Sequence, residues 1–401
     1  MEKFTLKTTV ILLVFINLIL FALGRLGVGN DIFGYMTQAG RFDDFFNLFN
    51  FAKELPNPNS AIQYTGVSIF LGRFFVNSQI IATFIAIIFV ISPLMIIFYL
   101  LNQVDKNKSK LIILFLLISY PFLFGFFRGN PTLIGVLWGI VAILAFNSSE
   151  YRLSKFAIIF GSLFHPVPAL FSILFLCRGL IQFIFLVAQI LIFQLASYLI
   201  IDLNIISTFN KILSSLNVYK TQYIIGGGGD LYNNSLFFIF KIIYDGNDLI
   251  INNSLKFIPF FLSLILLIQF LCGIKSQNIK SSLYIICIYY LPIFIVISSP
   301  VSADYRLGYL LIPIVLMLIY SFYKIPLILL LLIIIPKHFI FFSSYVQRIH
   351  PTDIFVYQDI INTLGITLNS LVNPFLLLFA FLYPITSFVP LVKKIGVKTS
   401  L

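Results

Sequence analysis

The chain is built from successive apolar stretches of about twenty residues, divided by segments that carry most of its charge. A stretch of that length, wound as a helix, crosses a hydrocarbon core roughly 30 Å thick. Only 10% of the residues are charged and 60% are hydrophobic, whereas water-soluble domains carry about a quarter charged residues. That balance excludes a soluble globular protein. Short segments of period-two alternation are absent, which excludes an outer-membrane barrel. Backbone polar groups in lipid must therefore be met inside helices. The expected fold class is all-α, a polytopic bundle integral to the membrane, forming a single domain over 1–401.

The sequence predicts about ten spans, at 7–23, 78–101, 111–126, 132–146, 180–201, 257–273, 281–298, 307–322, 325–342 and 371–392. Lys3 and Lys7 precede the first, and Lys106, Lys108 and Lys110 follow the second. The excess of Lys and Arg in cytoplasmic loops puts both groups on the cytoplasmic side. The stretch 156–177 then decides the rest. One full crossing there would place Lys275, Lys280, Lys324, Lys393, Lys394 and Lys398 outside. Proline cannot continue a regular helix, so a break at His165, Pro166 and Pro168 followed by a turn back returns all six lysines, and Arg178, to the cytoplasm. The expectation is a re-entrant helix pair at that point, both termini cytoplasmic, and outer loops near 25–77, 202–256 and 343–369. The shorter outer segments are 128–130 and 299–306, and 61–75 has the pattern of an interfacial helix.

The net charge of +12 follows from the same orienting bias and gives no reason to expect nucleic acid. Cys177, Cys272 and Cys287 all lie in apolar runs, so neither a disulfide nor a thiolate metal site is expected. The run Gly226 to Gly229 lacks the Lys and Ser/Thr of a phosphate loop. No HExxH and no paired-cysteine motif occurs. Neither a cofactor nor a metal is expected.

Charges at membrane depth are costly unless paired or hydrated, so they point to function. Asp31 opens the first outer segment between glycines and is the strongest candidate general base; capping a helix from Ile32 onward is the alternative. Arg128 and Asn130 form a minimal outer turn, where a guanidinium suits a lipid phosphate or snorkels to headgroups. Asp304, Tyr305 and Arg306 open a later span on that side, and Asp304 is equally suited to capping it and pairing with Arg306. His165 lies beside two prolines, in reach of a freed carbonyl or of a substrate. Lys337 follows Pro336 late in an apolar span. Asn233, Asn234 and Ser235 fit an ordinary turn and cap.

Taken in order, these motifs resemble those of the GT-C superfamily of polytopic glycosyltransferases, in particular glycosyltransferase family 87, the polyprenyl-phosphate-sugar-dependent mannosyltransferase-like proteins. The resemblance runs from Asp31 through Arg128-Gly129-Asn130, the break at His165, Asn234-Ser235-Leu236 and Asp304-Tyr305-Arg306-Leu307 to Lys337. Where the family often carries Lys before the proline of the broken helix, this chain has His165. The resemblance implies a GT-C-like fold and transfer of a sugar, mannose-like in that family, from a polyprenyl-phosphate donor to a lipid or glycan acceptor on the outer face. Asp31 would take the proton of the attacking hydroxyl. Arg128, Arg306 and Lys337 would stabilise the departing phosphate, with His165 assisting if protonated. The implied location is the cell (inner) membrane, among membrane lipids. Two other readings of the same features stand beside this one, an O-antigen or exopolysaccharide polymerase and a lipid-linked saccharide flippase or transporter.

Overall fold

The computed structural model describes residues 6–25, 79–199, 233–244, 248–299, 304–322, 324–335, 341–345 and 364–395, with a few positions between 206 and 214. Among these, four helices are long and apolar enough to cross a membrane: Phe84–Val104, Leu180–Leu199, Asn252–Ser276 and Ile279–Ser298. Two bent pairs raise the number to as many as six. The remaining apolar helices are shorter. Among the described residues the bundle is helical apart from one antiparallel ribbon, in which Phe341–Tyr345 pairs with Leu364–Thr367. The helix expected over 325–342 therefore ends at Ile334, and the chain is extended by Phe341.

Proline divides the expected spans. The stretch expected over 111–126 is two helices, Lys106–Ile118 and Tyr120–Arg128, bent by 57° between Ile118 and Tyr120. Ser119 is extended at the break, Pro121 follows, and the Ser119 hydroxyl donates to the Leu116 carbonyl at 2.8 Å. The stretch expected over 371–392 is also broken. Helix Leu368–Leu382 ends before Pro384, and after a bend of 76° the chain continues through Ile385–Phe388 to Val389–Ile395. The stretch expected over 307–322 opens as the 3-10 segment Asp304–Leu310 before becoming the helix Leu311–Ile319.

At His165 the chain turns back on itself. Helix Tyr151–Phe164 rises to the corner, and the 3-10 segment Val167–Cys177 descends from it. Three contacts fix this direction. Arg178, just past the descending leg, lies over the Tyr151 ring at 4.2 Å. Lys155 lies over Phe175 at 5.4 Å, and Phe146 meets Phe175 edge-on at 5.5 Å. The lengths agree: fourteen α residues rise about 21 Å, and eleven 3-10 residues cover about 22 Å. Helix Leu180–Leu199 then runs back up, since Gln194 donates to the Ser162 carbonyl near the corner.

The hairpin packs on Pro131–Asn147, in which every residue from Pro131 to Phe146 is buried. The fit is close because Gly135 has no side chain, and a Cβ there would lie 2.8 Å from the His165 Cβ. Burial is reversed on other helices. Phe185, Ile192, Phe257, Phe260, Phe84 and Met95 are all exposed. Apolar area on that scale fits a lipid-facing surface and not water.

One end of the bundle collects cations. Lys108 donates to the Ile319 carbonyl at 2.9 Å and to the Ser321 hydroxyl at 2.7 Å, and Lys394 donates to the carbonyls of Tyr320 and Ser321, each at 3.2 Å. Both ammonium groups thus sit on the negative C-terminal end of Leu311–Ile319. Arg178 and Tyr151 lie at the base of the hairpin, where the Cys177 thiol donates to the Lys280 carbonyl at 3.5 Å. Tyr284 donates to Asn147 Oδ1 at 2.5 Å in the same region.

Candidate functional site

The corner of the hairpin carries the site, and proline chemistry shapes it. Pro166 has no N–H, so the Ser162 carbonyl four residues earlier loses its helical donor. The Gln194 amide replaces that donor. His165 itself takes an extended backbone, with its N–H donating to the Gly161 carbonyl at 3.1 Å. Its imidazole is half-buried and turned toward the segment Asp304–Leu310.

That segment supplies the other two members. Tyr309 is fully buried, and its hydroxyl oxygen lies 2.6 Å from His165 Nδ1. The two rings are tilted by 39° with centroids 5.7 Å apart. Arg306, one 3-10 turn before Tyr309, donates from Nη1 to the Ser299 hydroxyl. Its charge acts on both His165 and Tyr309. Arg306 Nε is buried and has no hydrogen-bond partner among the described residues. A buried, charged donor left unmet is costly, and an anion placed there would remove the cost.

The expected site residues fall into four groups. His165 and Arg306 are brought together, although 141 positions separate them in sequence (306 − 165). Asn130 caps the helix Pro131–Asn147 by accepting from the Thr132 amide at 2.9 Å, after Gly129 has turned the chain with φ 64°. For Arg128, Asp304 and Tyr305 the backbone alone is described, and the helix ending at Arg128 packs along Asp304–Leu310. Asp31 and Lys337 lie outside the described residues. So do Gly226 to Gly229 and the segment 61–75.

Sequence reasoning missed Tyr309. The only signal was its position three residues after Arg306, on the same face of a 3-10 turn. It also left the Asn-Asn-Ser turn as a simple cap. The Ser235 hydroxyl does accept from the Phe238 amide at 3.3 Å, but Asn234 goes further and accepts from Asn373 Nδ2 at 2.7 Å. Asn373 also donates to the Ile333 carbonyl at 3.3 Å. All of these side chains are buried, and the bonds tie three segments together inside the apolar bundle.

Among the described residues, no three His, Cys, Asp or Glu side chains gather as a metal site. What the His165 cluster offers is a guanidinium, an imidazole and a phenol in one partly buried corner. That set favours binding an anionic oxygen over nucleophilic attack. Comparison with protein-family profiles, curated proteins and solved structures finds no match in any of the three.

Proposed function

We propose that this chain is a membrane glycosyltransferase of GT-C type that moves a sugar from a polyprenyl-phosphate donor to a lipid or glycan acceptor on the outer face. The observation that carries this reading is the Arg306 guanidinium, partly buried beside His165 and Tyr309, with one donor unmet. Sugar transfer from a polyprenyl phosphate leaves negative charge on the departing phosphate, and preorganised donors at that place lower the barrier. The exposed apolar faces of the same bundle suit a polyprenyl chain. Asp31 is the proposed proton acceptor, with Arg128 and Lys337 beside the phosphate.

The test is transfer of labelled sugar from a polyprenyl phosphate by the purified protein in lipid nanodiscs. Asp31→Asn retains capping ability but cannot take a proton at neutral pH. Transfer should fall by about 10² to 10⁴ while donor binding persists, the range typical of a lost general base. Full transfer by this variant, with a dead variant at Asp43, Asp44 or Glu54, would move the base there. A protein that never transfers sugar from any polyprenyl phosphate would sink the reading.

The finer topology belongs to the same proposal: about ten spans, a re-entrant pair at His165, and both termini in the cytoplasm. It is supported by the turn back at His165 and by the cation-rich end that Lys108, Arg178 and Lys394 share with Lys280. Reporters fused after Lys275 and Lys394 should both read cytoplasm, and one near Asp230 should read outside. A cytoplasmic signal at Asp230 would mean that 156–177 crosses fully.

A further inference from the structure

The hydrogen bond between Tyr309 and His165 has two possible directions, and the surroundings choose between them. Tyr309 is fully buried, and its only hydrogen-bond partner among the described residues is His165 Nδ1, at 2.6 Å. If Nδ1–H donated to the phenol oxygen, the phenol proton would be buried with no acceptor. Leaving a buried donor unmet is penalised more than the bond itself is worth. The phenol O–H therefore donates to Nδ1. In a neutral imidazole one ring nitrogen accepts and the other carries the proton, so the proton sits on Nε2. That nitrogen has no hydrogen-bond partner among the described residues.

The second observation concerns Arg306. Its Nη1 is used by Ser299, and its Nε is buried and unmet among the described residues. The corner thus holds two spare donors, one neutral and one charged, and the phenol proton is already committed. Donors without acceptors describe a site for an anion. They also argue against the imidazole as a base here, since its basic nitrogen is occupied by Tyr309.

We infer that Tyr309 is a positioning residue that fixes His165 in its Nε2–H tautomer, and that this N–H and the Arg306 guanidinium together bind one phosphate group. Resting on the glycosyltransferase reading, the ligand would be the phosphate of a polyprenyl phosphate. A neutral donor beside a permanent cation binds the phosphate without adding a second charge to a partly buried corner. His165 then acts by donating a hydrogen bond, and its protonation is not required.

The experiment uses the full chain in nanodiscs, with histidine labelled in both ring nitrogens and the His165 signal identified by its loss in His165→Gln. The chain has three histidines, so the spectrum is simple. At pH 7 the wild-type ring should show a protonated Nε2 and an unprotonated Nδ1, and Tyr309→Phe should show a mixture of tautomers. Affinity for undecaprenyl phosphate, measured without any acceptor, should fall about tenfold in Tyr309→Phe, the loss expected when one positioned hydrogen bond goes. Thermal unfolding of each variant separates this from lost folding, and Tyr309→Leu, smaller and without a donor, serves if the Phe variant is unstable. A protonated Nδ1, a doubly protonated ring, or wild-type affinity in a folded Tyr309→Phe would overturn the inference. Tight, Tyr309-dependent phosphate binding without sugar transfer would instead leave the inference standing and remove the glycosyltransferase reading.

Discussion

Two proline breaks in this bundle begin alike and end differently. Pro166 removes the helical donor of the Ser162 carbonyl, and Pro384 removes that of the Ala380 carbonyl. In both places a polar side chain from a neighbouring helix takes over: Gln194 at the first, Tyr289 at the second, where its hydroxyl donates to Ala380 at 2.8 Å. At the second break the repair extends to the neighbouring carbonyls and amides. Tyr290 donates to the Tyr383 carbonyl, Gln269 donates to Leu382 at 3.4 Å, and Gln269 accepts from the Ile385 amide at 3.1 Å. Phe388 packs among Tyr289, Tyr290 and Tyr383. At the first break the backbone is repaired but the side chains are not. His165 keeps one ring nitrogen free, and Arg306 keeps an unmet Nε among the described residues. The lesson is that a broken helix in a membrane is not in itself a site. Polar groups left over after the backbone has been satisfied are what mark one.

The largest effect that would break this contrast is on turnover at the first corner. Arg306→Lys keeps the charge but loses the planar fork and its Nε donor. Turnover should fall about tenfold to a hundredfold, within the range seen when one transition-state donor is lost, while thermal stability stays near wild type. Wild-type turnover would reduce Arg306 to a headgroup contact.

A middle-sized effect is expected at the second corner, on stability alone. Tyr289→Phe keeps the ring but leaves the Ala380 carbonyl with the Tyr383 amide alone, at 3.3 Å. The cost should be about 1 to 1.5 kcal/mol, that of one lost hydrogen bond, read as a lower denaturation midpoint, with turnover per folded molecule unchanged. A loss of turnover in the folded variant would make the second break functional as well, and the distinction between the two corners would collapse.

The smallest effect lies at the cation-rich end, away from both breaks, and calibrates them. Asp105 caps Lys106–Ile118 by accepting from the amides of Asn107 at 3.0 Å and Lys108 at 3.1 Å, and it pairs with the Lys108 ammonium at 3.3 Å. Burial pushes its carboxyl up, but the Lys108 amide and ammonium together with the Asn107 amide more than reverse this, so it lies below its ordinary value of 3.8. A depressed carboxyl stabilises the fold above the unfolded value and loses that contribution as pH falls through the folded one. Asp105→Ala should therefore cost about 1 kcal/mol at pH 7, and the gap from wild type should narrow below pH 3.8. A gap that does not change with pH would mean that the charge of Asp105 contributes nothing.

Much of this architecture follows from local chemistry and was legible in the chain. Runs of apolar residues demand helices in lipid, and the positions of Pro166 and Pro168 locate the turn back at His165 because a missing N–H acts on the residue four before it. The bend at Ser119 and the ribbon after Ile334 were less legible. Pro121 sits at the start of a helix, where proline is also compatible with a straight continuation from a new first turn. Phe341 and Phe342 open the extended run while still continuing the apolar stretch of the helix before it, and hydropathy at those two positions does not separate strand from helix.

By itself, the sequence determined the apolar helices compatible with a membrane, the helical class, the place of the main break and the identity of two of its polar residues, His165 and Arg306. Each depends on length, hydropathy or a single residue's covalent geometry, which are properties of neighbours in the chain. The tertiary structure decided that Tyr309 holds His165 across 144 positions, that Gln194 and Tyr289 meet the carbonyls freed by proline, and that Asn234 joins Asn373. Hydrogen bonds are directional and short, so a side chain's partner is fixed only when packing brings two distant helices into register.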